Sequence, residues 1–213
     1  MAVNPRKTQL LCISPAVHSE ISAYLDLPDG SKIQSQDHLT ILGFRFGSRP
    51  TVGAHVDYIE KKFNSRSWMV RHLKLAGVPP DDIAAVFATT IRPVIEYAAP
   101  AYHWMLTEQQ SAIIERMQRR SLKTVYGHRV SYDNALEKSG LKTMLQRRED
   151  ICDKFVSKCV RNTLWDHWFP LQQAPSYDLR RKRRYLEEWA HTDRLYRSPI
   201  YSMRRLLNAD FCC

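Results

Sequence analysis

Seven cations in two helix-spaced groups are the side chains of this sequence best suited to chemistry with a polyanion: Lys61, Lys62 and Arg66, then Arg116, Arg119, Arg120 and Lys123. Each cation that meets a phosphate releases a condensed counterion, so such contacts give an affinity that falls with salt. They fix position on the ligand and carry no base identity. A third group, Arg180, Arg181, Lys182, Arg183 and Arg184, is an uninterrupted basic run. It suits a nuclear-import signal or a nucleic-acid arm, and equally a solvated helix face. Local pairing competes with these roles: Glu115 and Arg119 are four apart, and Arg147-Arg148 directly precede Glu149-Asp150, which predicts ion pairs within each helix.

Carboxylate chemistry is poorly supplied. Metal-dependent nucleotidyl transfer needs acids that hold two divalent ions about 4 Å apart. Asp81-Asp82 is the one adjacent pair of aspartates, and it follows Pro79-Pro80 ahead of a helix pattern. Two acids there complement a helix N-terminus. Catalysis of that kind by this chain alone is not expected, nor is any bound metal or other cofactor. His55 stands alone at the head of a helix, where histidine more often makes a structural hydrogen bond.

Cys12, Cys152, Cys159, Cys212 and Cys213 form an odd set without a Cys-x-x-Cys knuckle, and the start does not resemble a signal peptide. That combination predicts a reducing, intracellular setting, nuclear or cytoplasmic, and not secretion. Cys152 and Cys159 are seven apart, on one helical face, as small apolar core residues. Their spacing to His167 is unlike structural zinc patterns. The terminal Cys212-Cys213 pair carries too little information to assign a lipid.

The elements that must position these groups follow from length and pattern. With 213 residues, 44% apolar and 25% charged, the chain can bury one or two cores and is not disordered throughout. It carries 32 Lys and Arg against 22 Asp and Glu, and segments 1–50, 51–100, 101–150 and 151–213 hold net charges of +1, +1, +3 and +5. The excess sits in the C-terminal half, as a polyanion-binding surface or a solvated basic face requires. No apolar run approaches the ~20 residues that span a bilayer.

Short apolar runs at Thr8–Ile13, Ile21–Leu27, Ser31–Gln36 and His38–Phe46, with a turn at Pro28-Asp29-Gly30, predict three or four short antiparallel strands in the first 50 residues. From Val52 the period changes. Val52, Val56, Ile59, Phe63, Val70 and Leu73 line one stripe of a helix that ends at Gly77. A second helix starts near Asp81-Asp82, is kinked by Pro93 and stopped by Pro100. Thr107 with Gln110 forms a capping box ahead of a third helix ending at Gly127. A short helix from Ser131 to Ser139 and a longer one from Lys142 to about Asn162 complete a bundle. Beyond it, Trp165, Trp168 and Phe169 anchor a linker that leads to one basic helix. The fold class expected is α+β, mainly α: a short antiparallel N-terminal hairpin region followed by a helical bundle.

One order of residues is more specific than any element. It runs Arg92-Pro93-Val94-Ile95-Glu96-Tyr97, Trp104, Ile114-Glu115-Arg116-Met117-Gln118-Arg119-Arg120, Tyr126-Gly127, Tyr132, Ala135-Leu136, Gly140-Leu141, then Leu145 before Arg147-Arg148. With Asn4, Lys7, Thr8 and Leu42-Gly43-Phe44 upstream, it resembles the segment that follows the palm in reverse transcriptases of non-LTR (LINE-type) retrotransposons, over roughly residues 4 to 160. The resemblance implies three regions: a palm remnant with the primer-grip hairpin (1–50), a thumb-like bundle (51–162), and a linker with a basic C-terminal segment (163–213).

By the same resemblance, Asn4, Lys7 and Thr8 match a late palm element beside the active site, where a lysine in related polymerases assists pyrophosphate departure. A surface lysine at the start of a strand is the alternative. Leu42, Gly43 and Phe44 match the primer grip, which positions the 3′ end of the growing strand. Gly43 lets backbone approach a ligand, or else marks a strand bulge. The helices that follow would close over template and primer, so the implied partners are RNA, DNA or their hybrid, and the palm and fingers of a complete polymerase. The catalytic aspartates would lie before residue 1, and only the complete enzyme would need magnesium. Two other readings stay open: a small α-helical protein-interaction module using Trp165, Trp168 and Phe169, which equally cap the bundle's own core, and the functionless product of a decayed element.

Overall fold

The structure is a computed structural model in which residues 4, 7–13, 23–28, 30–172 and 184–209 are described. It is mainly helical, with short strands confined to the N-terminal part, as the α+β, mainly α expectation has it. Strands β1 (Leu10–Leu11), β2 (Tyr24–Asp26) and β3 (Lys32–Gln36) form a sheet of order β1-β3-β2. β2 and β3 pair antiparallel from Tyr24↔Gln34 to Asp26↔Lys32, around a turn that Gly30 makes at φ 81°. β1 differs from the expectation by running parallel to β3, and over two residues only. The cause is local. The Asn4 carbonyl accepts from the Lys7 and Thr8 amides and from the Thr8 hydroxyl, which makes a turn where a strand was expected to begin.

β4 (His38–Ile41) and β5 (Phe44–Gly47) pair antiparallel, so the single strand expected over 38–46 is a hairpin. Its reversal at Leu42-Gly43 has φ of 49° and 81° at the two central residues. Those are the signs of the mirror-image two-residue turn whose twist matches that of the flanking strands. Leucine is a poor residue for positive φ, which is why the pattern reads as unbroken strand.

Helix α1 (Gly53–Leu75) buries His55, Val56, Ile59, Phe63 and Val70 along one stripe. It ends in paired bonds from Val78 N–H to Leu73 O and Gly77 N–H to Lys74 O, with Gly77 at φ 78°. α2 (Pro80–Val86) opens on a proline whose missing N–H costs nothing there, and Asp81 and Asp82 face the helix N-terminal dipole. The expected Pro93 kink takes the form of a π turn over Phe87–Ile91, followed by α3 (Arg92–Glu96). The Arg92 amide reaches back five residues to Phe87 O, which accommodates the ring of a proline that cannot donate. After Ala98, at φ 59°, α4 (Ala99–Tyr102) leads through a 3₁₀ turn to α5 (Glu108–Tyr126).

The Thr107 and Gln110 capping box is formed, with bonds of 3.2 and 3.0 Å. α6 (Tyr132–Ser139) is capped by Ser131 and closed by Gly140, and α7 (Met144–Val160) begins with a second box, Thr143 with Gln146, that the sequence reading passes over. The main core gathers α1, α2, α3 and α5 around Phe63, Phe87, Ile91, Ile95 and Ile114. Each of these side chains contributes roughly 1.5–3 kcal/mol on leaving water.

Residues 163–213, expected as linker and basic tail, carry a second core in their described part. Phe169, Tyr185 and Met203 pack against Val156 and Cys159 of α7, with Trp165 and Trp168 alongside. The helix found there is α9 (Pro199–Ala209), preceded by the single turn α8 (Asp193–Tyr196). Arg204 of α9 donates to Trp168 O at 2.7 Å, and Asn208 ties the Tyr185 strand bridge through both its amide atoms. The aromatic trio therefore caps the molecule's own core. Cys152 and Cys159 are buried, and burial pushes the Cys152 thiol up to about 12. Among the described residues no helix is long and apolar enough to cross a membrane.

Candidate nucleic-acid interface

At about 100° per residue, the cations of α1 leave the helix in three directions. Tyr58, Lys62 and Arg66, four apart, share one flank, Lys61 sits on the solvent crest, and Asn64, Ser67 and Arg71 share the opposite flank. The first flank faces the hairpin. Lys62 and Arg66 line a pocket of about 330 Å³ together with Leu42 and Gly43 of the turn and Val94 and Tyr97 at the end of α3. The Tyr97 hydroxyl donates to the Leu42 carbonyl, and its ring stands 3.1 Å from where a Gly43 Cβ would sit. Gly43 is thus required twice, by its φ and by this close approach.

Within the pocket the Tyr58 ring meets two cations, Lys62 Nζ at 4.4 Å and the Arg45 guanidinium at 5.7 Å from its centroid. No carboxylate among the described residues pairs with Lys62 or Arg66. His55 also lines the pocket. Its Nδ1 accepts the Arg45 amide at 3.3 Å, so the neutral ring carries its proton on Nε2, an atom that is buried without a partner. Burial first and the Lys62 charge second lower its pKa to about 4, so it is uncharged at neutral pH. Its ring stacks on Phe44 at 4.1 Å. His55 is the structural hydrogen-bonder expected, and it fastens β5 to α1.

The opposite flank of α1 opens to a groove of about 310 Å³ shared with α5, lined by Asn64, Ser67, Trp68, Arg71, Arg120 and Thr124. Arg120 donates to Asn64 Oδ1 and lies 4.9 Å from the Phe63 ring, so its guanidinium is held in place. Lys74 donates to Thr124 O and Val125 O, free carbonyls of the last turn of α5. Arg116 and Lys123 are exposed on the α5 stripe that carries Arg120. Arg119 covers the Tyr132 ring at 4.8 Å. The cations expected to act together are therefore divided: Lys62 and Arg66 meet the hairpin turn, whereas Arg120 meets α1 from its other side.

Two expected ion pairs are not formed. Glu115 turns from Arg119 to the start of α7, where its carboxylate accepts from Met144 N–H at 3.0 Å and Leu145 N–H at 3.3 Å and from the Tyr132 hydroxyl. Arg147 pairs with Glu96 of α3 through two bonds of 3.0 and 3.2 Å, and Arg92 reaches the same carboxylate at 2.9 Å. Asp150 pairs with Lys142 at 2.7 Å. Arg148 is fully buried and donates from Nη2 to Ser111 Oγ at 2.7 Å, with Nε and Nη1 unpartnered. Positions 147 and 148 point at α3 and into the core, so tertiary partners displace the local ones.

Lys7 is exposed beside the Asn4 and Thr8 turn. Arg180, Arg181, Lys182 and Arg183 lie outside the described residues. Arg184 is described: its amide donates to Asn208 Oδ1 at 3.0 Å and its guanidinium lies 5.6 Å from the Tyr185 ring. Tyr58 and Thr90 belong to the pocket but carry no sequence expectation, and Val94 and Tyr97 stand in the 92–97 run without a site role. Tyr58 was findable, since it continues the Lys62 and Arg66 stripe; Tyr97 meets Leu42 from 55 positions away, and no local pattern signals that.

A third concavity, of about 570 Å³ and apolar, lies where α4, α7 and α9 meet, with Ala101, Phe155, Trp168, Ile200 and Met203 in its wall. Among the described residues no three His, Cys, Asp or Glu side chains are gathered as a metal site. No protein-family model, curated protein or solved structure matches the chain.

Proposed function

We propose that this chain is the post-palm part of a non-LTR retrotransposon-type reverse transcriptase, and that on its own it binds template-primer-like nucleic acid through phosphate contacts without polymerising. One observation carries the reading. The Leu42-Gly43 turn, matched to the primer grip, shares a pocket with Lys62 and Arg66 of the very next helix, a juxtaposition that brings backbone and two cations without a carboxylate partner among the described residues to one concavity. The exposed stripe of Arg116, Arg120 and Lys123 supplies further contacts. The reading carries with it a nuclear or cytoplasmic setting, and a palm and fingers portion as protein partner.

The test is the affinity for an RNA–DNA hybrid duplex as salt is raised. Each phosphate contact contributes about −0.9 to the log–log slope, so four contacts predict a slope of roughly −3.6. Replacing Arg116 or Lys123 by Ala should weaken binding uniformly across sequences and reduce the slope by about one. A flat slope overturns the reading, and metal-dependent primer extension by the chain alone overturns its second half. The apolar concavity beside Trp168 favours a second reading, a protein-interaction module, for which hybrid binding would be weak and insensitive to salt.

A further inference from the structure

The pocket at the hairpin turn has more shape than phosphate contact alone needs. Its two charged side chains are both cationic, Lys62 and Arg66. Beyond them the wall is apolar or aromatic, formed by Leu42, Ile59, Pro93, Val94 and Tyr97, and Thr90 stands at an exposed edge. A volume of about 330 Å³ is at the lower end of the range for small-molecule sites, roughly 300–1,000 Å³, and far exceeds what one phosphate fills. His55 in the wall is neutral and adds no charge. An anionic head with a planar, largely apolar body meets all of these conditions. Nucleobases stack on aromatic rings with little regard to sequence.

We propose that this pocket takes a single nucleotide, its phosphomonoester between Lys62 and Arg66 and its base along Tyr97, Pro93 and Val94. The nucleotide is either a free nucleoside monophosphate or the phosphorylated end of a strand. This deepens the proposed interface by naming what the pocket holds, and it is read out separately from duplex binding.

Calorimetric titration of the full chain with adenosine 5′-monophosphate should give saturable one-to-one binding, at least about tenfold tighter than adenosine or inorganic phosphate alone, because one site engages both halves. Arg66→Glu, at an exposed position, should weaken it by about tenfold or more. Thr90→Trp, also exposed, should fill the pocket mouth and abolish it. A cooperative melt of each variant confirms folding. A 5′-phosphorylated single strand that displaces the mononucleotide, when a circular strand of the same composition does not, identifies the strand end as a source; no displacement leaves the free mononucleotide. Adenosine monophosphate that binds no tighter than phosphate, or is indifferent to Thr90→Trp, overturns the assignment. A flat salt slope for duplex binding, with mononucleotide binding intact, would strike only the wider interface.

Discussion

Tyr97 donates its hydroxyl proton to the carbonyl of Leu42 across 55 positions of sequence, joining the end of α3 to the tip of the β4–β5 hairpin. Leu42 is held at φ 49° although 87% exposed, so its strain, of order 1–3 kcal/mol, is not repaid by burial. Leu42→Asn should raise thermal stability by about 1 kcal/mol, since asparagine tolerates this conformation. Gly43→Ala should lower it by about 1–2 kcal/mol, through its φ and its collision with the Tyr97 ring. Denaturant titration checks both. Equal effects at the two positions would contradict the turn geometry.

Arg148 is buried with two of its donors unpartnered. Charge without a carboxylate in a core is replaced by apolar volume at little loss, often with a gain of about 1–4 kcal/mol. Arg148→Met should therefore melt no lower than the parent, whereas Arg148→Ala should cost about 2–5 kcal/mol through the cavity it leaves. A large loss for the methionine variant would show that the charge has a partner.

His55 and His103 are both held near pKa 4, chiefly by burial, with Lys62 and Arg148 respectively as the second cause. Unfolded histidine titrates near 6.5. Between these values the unfolded chain binds more protons than the folded one, so stability is full above pH 6.5, falls as pH drops toward 4, and levels below that. The slope is at most about 1.4 kcal/mol per pH unit for each histidine. His55→Asn keeps an acceptor for the Arg45 amide and removes one titration, so the melting temperature should lose part of its pH dependence in this window. An unchanged profile would show that His55 is not desolvated.

Glu115 on α5 accepts from the first amides of α7 and from Tyr132, adding to the Thr143 box a second cap supplied by another helix. Glu115→Ala should cost about 2–3 kcal/mol, and Arg119→Ala much less, since Arg119 only covers the Tyr132 ring. If both were equally mild, Glu115 would be an ordinary surface acid.

The bundle was legible because its signals are local: the α1 stripe, the Thr107 box and the stops at Gly77, Gly127 and Gly140 each lie within a few residues of what they determine. The hairpin at Leu42 was implied by the resemblance alone and hidden in the residue pattern, because a bulky residue occupies a position that turn chemistry assigns to small polar ones. The candidate site was half visible. Lys62, Arg66, Leu42 and Gly43 are named by type and order, but their meeting depends on Tyr97 and on a helix irregularity whose place Pro93 announces and whose π form nothing in the spacing does. Arg147 and Arg148 were misread for the same reason: adjacent acids are the nearest partners in sequence, and Glu96 and Ser111 are the nearest in space.

The π turn at Phe87–Ile91 carries one residue more per turn than the helices on either side. Taking that residue out would swing everything downstream by about 100°, carrying Ile95 off the core and Val94 and Tyr97 away from the hairpin together. For folding, Thr89 and Thr90 should accordingly tolerate many exchanges of identity and no deletion, so that at this point the fold is constrained in count rather than in spelling.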